Sequence, residues 1–299
     1  MYDIHTRKNR EKEAMMTLLS VKHLSKHYEA FDLTDVSFQL EPGYIMGYIG
    51  RNGAGKTTTL KSLLGLIHPD SGTVTVDGLD FSKNERACKA MIGFACGGVS
   101  YYPRKRLKTI TDVTRQFYDH WDESTYQDCL KRFELSEDKK INQLSEGIKV
   151  KYALALALSH NAKLLILDEP TSGLDPVSRD DLLTLFQKII EDGEHSILFS
   201  THITSDLERC ADYITYIQDG HIIANQDKDS LLEAWRLISG KKTDLTPELA
   251  QKMVGCQKNR FGFEGMIATG DLPQDPRYTV GNPDLEAIMV HIERKGETL

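Results

Sequence analysis

The stretch Gly50-Arg51-Asn52-Gly53-Ala54-Gly55-Lys56-Thr57-Thr58 restricts the possible folds of this chain more than any other. A glycine-rich loop ending in Lys-Thr works between a strand and a helix: its backbone N–H groups turn toward one anion, and the helix behind it adds a positive N-terminal end. Both flanks are present. Residues 44–49 are an apolar run short enough for a buried parallel strand, and Leu60, Leu63 and Leu64 recur at helical spacing until Gly65 closes the segment. In this pattern Gly50 and Gly55 allow the tight turn, Lys56 reaches toward β- and γ-phosphates as a point charge, and Thr57 offers its hydroxyl to Mg²⁺, an ion that takes few protein ligands and keeps its waters. The motif alone can arise by chance; its strand and helix flanks weigh against that.

A second dense patch lies downstream. Residues 163–167 read as a buried strand with Asp168 and Glu169 at its carboxyl end. In open α/β sheets ligands bind at that edge, which places Asp168 to hold a metal through water and Glu169 to orient an attacking water. An acidic pair after an apolar strand can also be no more than a helix start; in a chain with a phosphate loop it reads as the metal and base site. A helix over residues 177–191 then leads to a strand over 196–199 that ends at Ser200, Thr201 and His202, and a short helix precedes a strand over 213–217. His202 thus falls on the same edge as Asp168. A lone histidine is more often structural than catalytic, but the strand-end position favours function.

The flanks of the loop are strand-like. Val36, Phe38 and Leu40 alternate with polar residues, and so do Val74 and Val76 between the turn signals Ser71-Gly72 and Asp77-Gly78, as expected of half-buried antiparallel strands. Tyr28 precedes the loop by a little over twenty residues; it either stacks on a nucleotide base or packs as an ordinary tyrosine, and spacing leaves both open. After a strand over residues 91–95, residues 109–135 suggest a helical insertion with Phe117, Trp121, Leu130 and Phe133 at helical spacing. It opens with Tyr101, Tyr102, Arg104, Lys105, Arg106 and Lys108, a basic run that is first a solvated face and only second a docking surface. Toward the carboxyl end, Leu231, Leu232, Trp235 and Ile238 are spaced as one helix face. Thr246-Pro247 and Asn282-Pro283 look like helix starts, with a strand over 261–268 between them.

At 299 residues the chain has room for one large domain and an appendage. A formal charge of −7 argues against a nucleic-acid partner and suits a soluble cytoplasmic protein. Its five scattered cysteines, with no C-x-x-C pair, point to thiols in a reducing compartment rather than a structural zinc site. No apolar stretch reaches membrane-spanning length, so at a membrane another chain would do the crossing. Residues 1–14 are charged and lack the apolar core of a secretory signal; they are expected to be a disordered tail, with Met15 or Met16 as a natural start.

Taken in order, these motifs resemble those of the ATP-binding cassette (ABC) family, and over about residues 17–225 the chain is similar to the ATPase subunit of an ABC transporter. Residues 50–58 resemble the Walker A loop, 164–168 the Walker B strand, Glu169 the catalytic carboxylate, 144–148 the signature, 172–175 the D-loop and His202 the switch histidine. The resemblance implies an α/β fold of the P-loop NTPase type, with a mixed β-sheet core, a flanking antiparallel β subdomain and a helical subdomain at about 98–160. The nucleotide-binding domain would span 15–225, followed by a small C-terminal α+β accessory subdomain at 226–299. It further implies ATP and Mg²⁺ as cofactors, held in a head-to-tail dimer. Nucleotide contacts fall on Tyr28, Asn52, Gly53, Gly55, Lys56, Thr57 and Thr58, with Ser145 and Gly147 reaching the nucleotide of the opposite subunit and Asp175 linking the two sites. Lys56, Glu169 and His202 would be catalytic, and Thr57 and Asp168 would hold the metal.

Two positions depart from the family pattern. The usual LSGGQ reads LSEGI, with Glu146 for the first glycine and Ile148 for the glutamine; the glutamine expected after the strand at 91–95 is missing, and Gly97 stands near its place. These changes suggest a site that hydrolyses ATP beside a second ATPase, homo- or heteromeric, with a different partner favoured. The implied protein is peripheral on the cytoplasmic face of the cell membrane and drives a transmembrane permease subunit. A variant signature with a C-terminal extension resembles export-type subunits, which move peptides, antibiotics or lipids. The alternative is a soluble ABC ATPase acting on nucleic acid or the ribosome, a class marked by a second cassette, a long coiled-coil insertion or zinc fingers; the chain shows one phosphate loop, no sustained heptads and no paired cysteines. A non-hydrolysing scaffold fits poorly with the presence of both Glu169 and His202.

Overall fold

The computed structural model describes residues 17–96 and 102–294, with only the backbone of Cys96. The expected disordered tail, Tyr101, and Gly97 at the position of the missing glutamine lie outside the described residues. Two compact units emerge, the first running to Ile203 and taking in Cys210–Asn225, the second made of Thr204–Arg209 and the chain from Gln226 on.

The first unit opens on the hairpin of β1 (Leu19–Tyr28) and β2 (Phe31–Leu40), whose alternation buries Val36, Phe38 and Leu40 on one side. β3 (Ile45–Ile49) is buried at every position and passes through the glycine loop into α1 (Lys56–Leu63). β4 (Ser71–Val76) and β5 (Leu79–Asp80) complete an antiparallel sheet of order β2-β1-β4-β5. After α2 (Glu85–Ala90) comes β6 (Ile92–Cys96), then the helical region: α3 (Leu107–Thr114), α4 (Glu123–Arg132) and α5 (Glu146–Ser159). The chain re-enters the core with β7 (Leu164–Asp168), α6 (Pro176–Ile190), β8 (Ser196–Thr201), α7 (Thr204–Cys210), β9 (Tyr213–Gln218) and β10 (His221–Asp227). The central sheet runs β10-β9-β3-β8-β7-β6, and β3, β6, β7, β8 and β9 pair in parallel. β3, β7 and β8 are buried on both faces, so their centres read as apolar runs, while β7 ends in Asp168 and β8 carries buried Ser196, Ser200 and Thr201 at its ends.

The helical region has its own core of Leu107, Ile110, Tyr126, Leu130, Ile141, Tyr152 and Leu156. At its centre the Thr111 hydroxyl bridges the phenols of Tyr126 (2.7 Å) and Tyr152 (2.8 Å), and Tyr152 donates to the Leu107 carbonyl at 3.0 Å, so three buried hydroxyls share partners. Trp121 and Phe133 pack inward as the spacing predicts, but Phe117 is 73% exposed: a 3₁₀ turn over Arg115–Phe117 ends α3 and swings that ring outward.

His160 caps the carboxyl end of α5 and stacks on Tyr118 with ring centroids 3.8 Å apart and planes 8° from parallel. Burial holds its imidazole pKa below the ordinary histidine value. The unfolded chain therefore takes up a proton as pH falls through about 6.5 while the folded chain does not. Stability is complete above that pH and is lost as pH falls toward the lower folded-state value. Thermal melts from pH 7.5 to 5.5 are expected to show a drop in Tm for the parent chain that flattens in His160→Gln; parallel curves would remove His160 as the cause.

In the second unit, α8 (Lys228–Glu233) is followed by β11 (Trp235–Gly240), α9 (Pro247–Lys252), β12 (Val254–Lys258), β13 (Phe263–Ala268), β14 (Thr279–Gly281) and α10 (Leu285–Glu293), in a sheet of order β12-β13-β11-β14. The single helix face expected over residues 231–238 breaks at Ala234, because Trp235–Gly240 pairs residue for residue with β13 and that ladder outweighs helical spacing. Thr246 caps α9 and Pro247 opens it as expected, whereas α10 starts beyond Asn282-Pro283, with Asp284 accepting from Ala287 N at 2.7 Å. Glu208, in the segment the chain lends from α7, ties this unit together: its carbonyl accepts from Lys228 Nζ at 2.9 Å and its carboxylate from Leu285 N at 2.7 Å.

Candidate functional site

Parallel pairing puts three strand ends at one edge. Ile49 lies opposite Thr201 and Asp168 opposite Ser200, so the loop after β3, Glu169 after β7 and His202 after β8 emerge side by side. The loop itself depends on its glycines. Gly55 has φ of +113°, and a Cβ there would stand 3.0 Å from the Phe31 and Leu33 side chains; a Cβ on Gly50 would meet the Ile217 carbonyl oxygen at 2.4 Å.

Asn52, Gly53, Gly55, Lys56, Thr57, Thr58, Glu169 and His202 line one cavity of about 380 Å³, together with Phe31, Arg51 and Ser172. The Lys56 ammonium, 6% exposed, donates to Gly50 O at 2.7 Å and to Arg51 O at 3.3 Å and lies 3.4 Å from Glu169 Oε1. The other carboxylate oxygen of Glu169 is 2.9 Å from His202 Nδ1, which places the ring proton on Nδ1 because a carboxylate accepts. Thr57 Oγ1 donates to Asp168 Oδ2 at 3.1 Å, and Asp168 Oδ1 accepts from Ser200 Oγ at 2.5 Å. Glu169 has φ of +50°, a conformation that costs on the order of 1–3 kcal/mol in a non-glycine residue and is held by its N–H donating to Ser200 O and Oγ.

Thr57 and Asp168 present hard oxygen donors to each other, and no group of three or more His, Cys, Asp or Glu side chains able to hold a metal occurs among the described residues. That donor set suits Mg²⁺, which binds through one or two protein oxygens and substrate phosphates rather than a protein cage. A larger cavity of about 630 Å³ beside Tyr118 and His160 contains neither a phosphate loop nor paired carboxylates, so chemistry assigns the site to the smaller one.

Three expected groups lie apart from this cavity within the chain. Ser145 caps α5, its Oγ accepting from Ile148 N at 3.4 Å, and Gly147 sits against Leu174, where a Cβ would stand 3.3 Å from Cδ2. Asp175 caps α6, accepting from Val177 N and Ser178 N at 3.0 Å and from Ser178 Oγ at 2.6 Å, and the Ser178 hydroxyl and these N–H groups hold its carboxyl below the ordinary range. Tyr28 does not line the cavity; its ring lies 5.9 Å from Lys26 Nζ. Phe31, its register partner across the hairpin, does line it. Sequence reading missed Phe31 and the bridging role of Ser200; the first has an aromatic signal three residues from Tyr28, the second only its place at a strand end.

The family model described as ABC transporter matches residues 33–172. The ABC transporter ATP-binding protein YtrB of Bacillus subtilis is 33% identical over 219 residues, covering 73% of this chain and 75% of the relative. The bacitracin transport ATP-binding protein BcrA of Bacillus licheniformis is 31% identical over 73% of this chain and 72% of its own length. Among solved structures, an ATP-binding subunit of an ABC transporter superposes with a TM-score of 0.65 at 29% identity, covering 72% of this chain and 92% of the other.

Proposed function

The chain belongs to the ABC transporter family as an ATP-hydrolysing subunit, and from that premise we propose that it drives export through a separate membrane-spanning permease, in a head-to-tail dimer with a second ATPase subunit. The observation that carries this reading is the meeting of Lys56, Thr57, Asp168, Glu169 and His202 at one edge of the parallel sheet. ATP is the substrate. Phosphate oxygens take the place of the Gly50 and Arg51 carbonyls as acceptors for Lys56, and the N–H groups of the loop and the first turn of α1 face the same anion. Thr57 and Asp168 are the residues that would hold Mg²⁺, which when bound would supply positive charge against the phosphates. Glu169 accepts the proton of the attacking water, and His202 holds the Glu169 carboxylate and faces the phosphoryl group. Ser200 fixes both Asp168 and the backbone of Glu169, so metal ligand and base are positioned by one hydroxyl.

From the opposite subunit, Ser145 and Gly147 present the amino end of α5 to the nucleotide. Glu146, the departure from the family signature, adds a carboxylate at this anion-binding end, and Lys149 Nζ offsets it at 2.6 Å. Asp175 connects the two sites from the start of α6. Phe31, which lines the cavity, is the ring proposed to stack on the base; Tyr28, its register partner across the hairpin, stands outside the cavity. Residues 226–299 form the accessory subdomain. No described helix is long and apolar enough to cross a membrane, so the crossing is assigned to the permease, with this subunit on the cytoplasmic face. The bacitracin transport in the name of BcrA supports a transport role; the export direction and a substrate of the peptide, antibiotic or lipid class are part of the proposal.

Isolation of the tagged chain from detergent-solubilised native membranes, with mass spectrometry of what accompanies it, is expected to recover a polytopic membrane protein. A second ATPase in the same fraction would identify the dimer as heteromeric. Ribosomes or nucleic-acid-binding proteins, from the soluble fraction only, would overturn the transporter reading.

A further inference from the structure

The basic run that opens the helical region is not used by the nucleotide site. Arg104, Lys105, Arg106 and Lys108 are exposed, and folding brings a second basic pair to them. Two extended stretches lie antiparallel: Leu107 N donates to Lys139 O and Lys108 N to Glu137 O, both at 3.0 Å, Ile141 N donates to Lys105 O at 3.2 Å, and Arg106 bridges to Lys140. Lys139 and Lys140, also exposed, therefore share a rim with the first four cations. Two carboxylates accompany them: Asp138, 3.5 Å from Arg106, and half-buried Glu137, which accepts from the Tyr126 phenol at 3.2 Å. Six cations against two carboxylates leave this rim strongly positive on a chain whose formal charge is −7. Tyr102 stands at its edge, 77% exposed.

We propose that this rim binds the anionic headgroups of a phospholipid surface. All six cations are exposed on long, flexible stems, an arrangement that answers to charge density rather than to the outline of one ligand. The exposed Tyr102 ring has the apolar body and polar tip that suit the headgroup level of a bilayer. A nucleic acid would answer to the same charge, but the negative remainder of the chain opposes a long polyanion wrapping beyond the rim. The membrane setting rests on the transporter reading above; the charge pattern does not. The rim would hold the ATPase at the bilayer beside its permease, at a strength set by lipid composition.

Flotation of the full-length chain with vesicles tests this. Wild type is expected to partition at least about tenfold better onto vesicles containing roughly one third phosphatidylglycerol than onto phosphatidylcholine alone, since each cation near an anionic surface strengthens binding about fivefold. The combined variant Arg104→Gln, Lys105→Gln, Lys139→Gln and Lys140→Gln should lose that preference, and so should wild type in ~0.5 M salt, where screening is severe. Replacing Lys105, Lys139 and Lys140 by arginine should preserve it. Equal binding to both vesicles, or a glutamine variant that binds as wild type, overturns the proposal. So does a short RNA that displaces the chain from anionic vesicles at equal charge. ATP turnover of the glutamine variant should equal that of wild type; absence of turnover in both would strike the ATPase reading and leave the vesicle result standing.

Discussion

Glu169→Gln is expected to lower steady-state ATP turnover by about 10²–10⁴-fold, the range that a positioned general base contributes, while Mg-ATP still binds. The amide keeps the shape of the carboxylate but cannot take a proton from water. It also ends the charge attraction to Lys56 at 3.4 Å and turns the contact with His202 Nδ1 into a neutral one. Freed of that competitor, Lys56 answers more fully to the phosphates, so nucleotide affinity should hold or rise as turnover falls. Phosphate-release kinetics and calorimetric titration with ATP separate the two effects. Turnover within about threefold of wild type would show that another group carries the proton.

Lys56→Met acts on the other half of the site. The ammonium is buried and anchored to two loop carbonyls and a carboxylate, and methionine fills its channel without any donor. Hydrogen bonds to charged groups contribute about 1.5–3 kcal/mol each, so loss of two phosphate contacts should weaken ATP binding by about 10²-fold or more. Calorimetric titration reads the affinity, and a melting curve in the absence of nucleotide checks that the fold survives. Affinity within about threefold of wild type would place the phosphates elsewhere.

The two variants probe positions of different legibility. Lys56 is fixed by its neighbours in sequence: the loop, its strand and its helix are contiguous, and each flank is visible as a periodicity. Glu169 and His202 were visible as strand-end residues because β7 and β8 are buried on both faces and carry short apolar runs, residues 164–167 and 197–199. The pairing of Ser200 with Asp168, and the reach of Phe31 to the loop, depend on register and hairpin geometry, for which a single sequence carries no local signal.

Elsewhere local pattern and tertiary pairing disagree. The four apolar residues at 231–238 satisfy a helix template, yet β13 lies close enough to claim residues from Trp235 on as a strand. Phe117 keeps helical spacing, but a 3₁₀ turn turns it away from the core formed around Tyr126 and Tyr152. The contribution of Glu208 to the second unit comes from a segment more than ten residues before that unit's main stretch begins.

The chemistry is legible in the residues alone: a phosphate loop, a metal and base pair, a histidine on the same edge, and the order in which they occur. Each is written in short, contiguous patterns set by backbone sterics and strand burial. Which groups meet is set by folding: Lys56 with Glu169, Thr57 with Asp168, Ser200 with both carboxylate-bearing residues, and Lys139 and Lys140 with a distant basic run. The reason is that such contacts arise from sheet register and chain crossing between residues far apart in sequence; a shift of one position in the register of β7 against β8 would turn Asp168 and Ser200 to opposite faces.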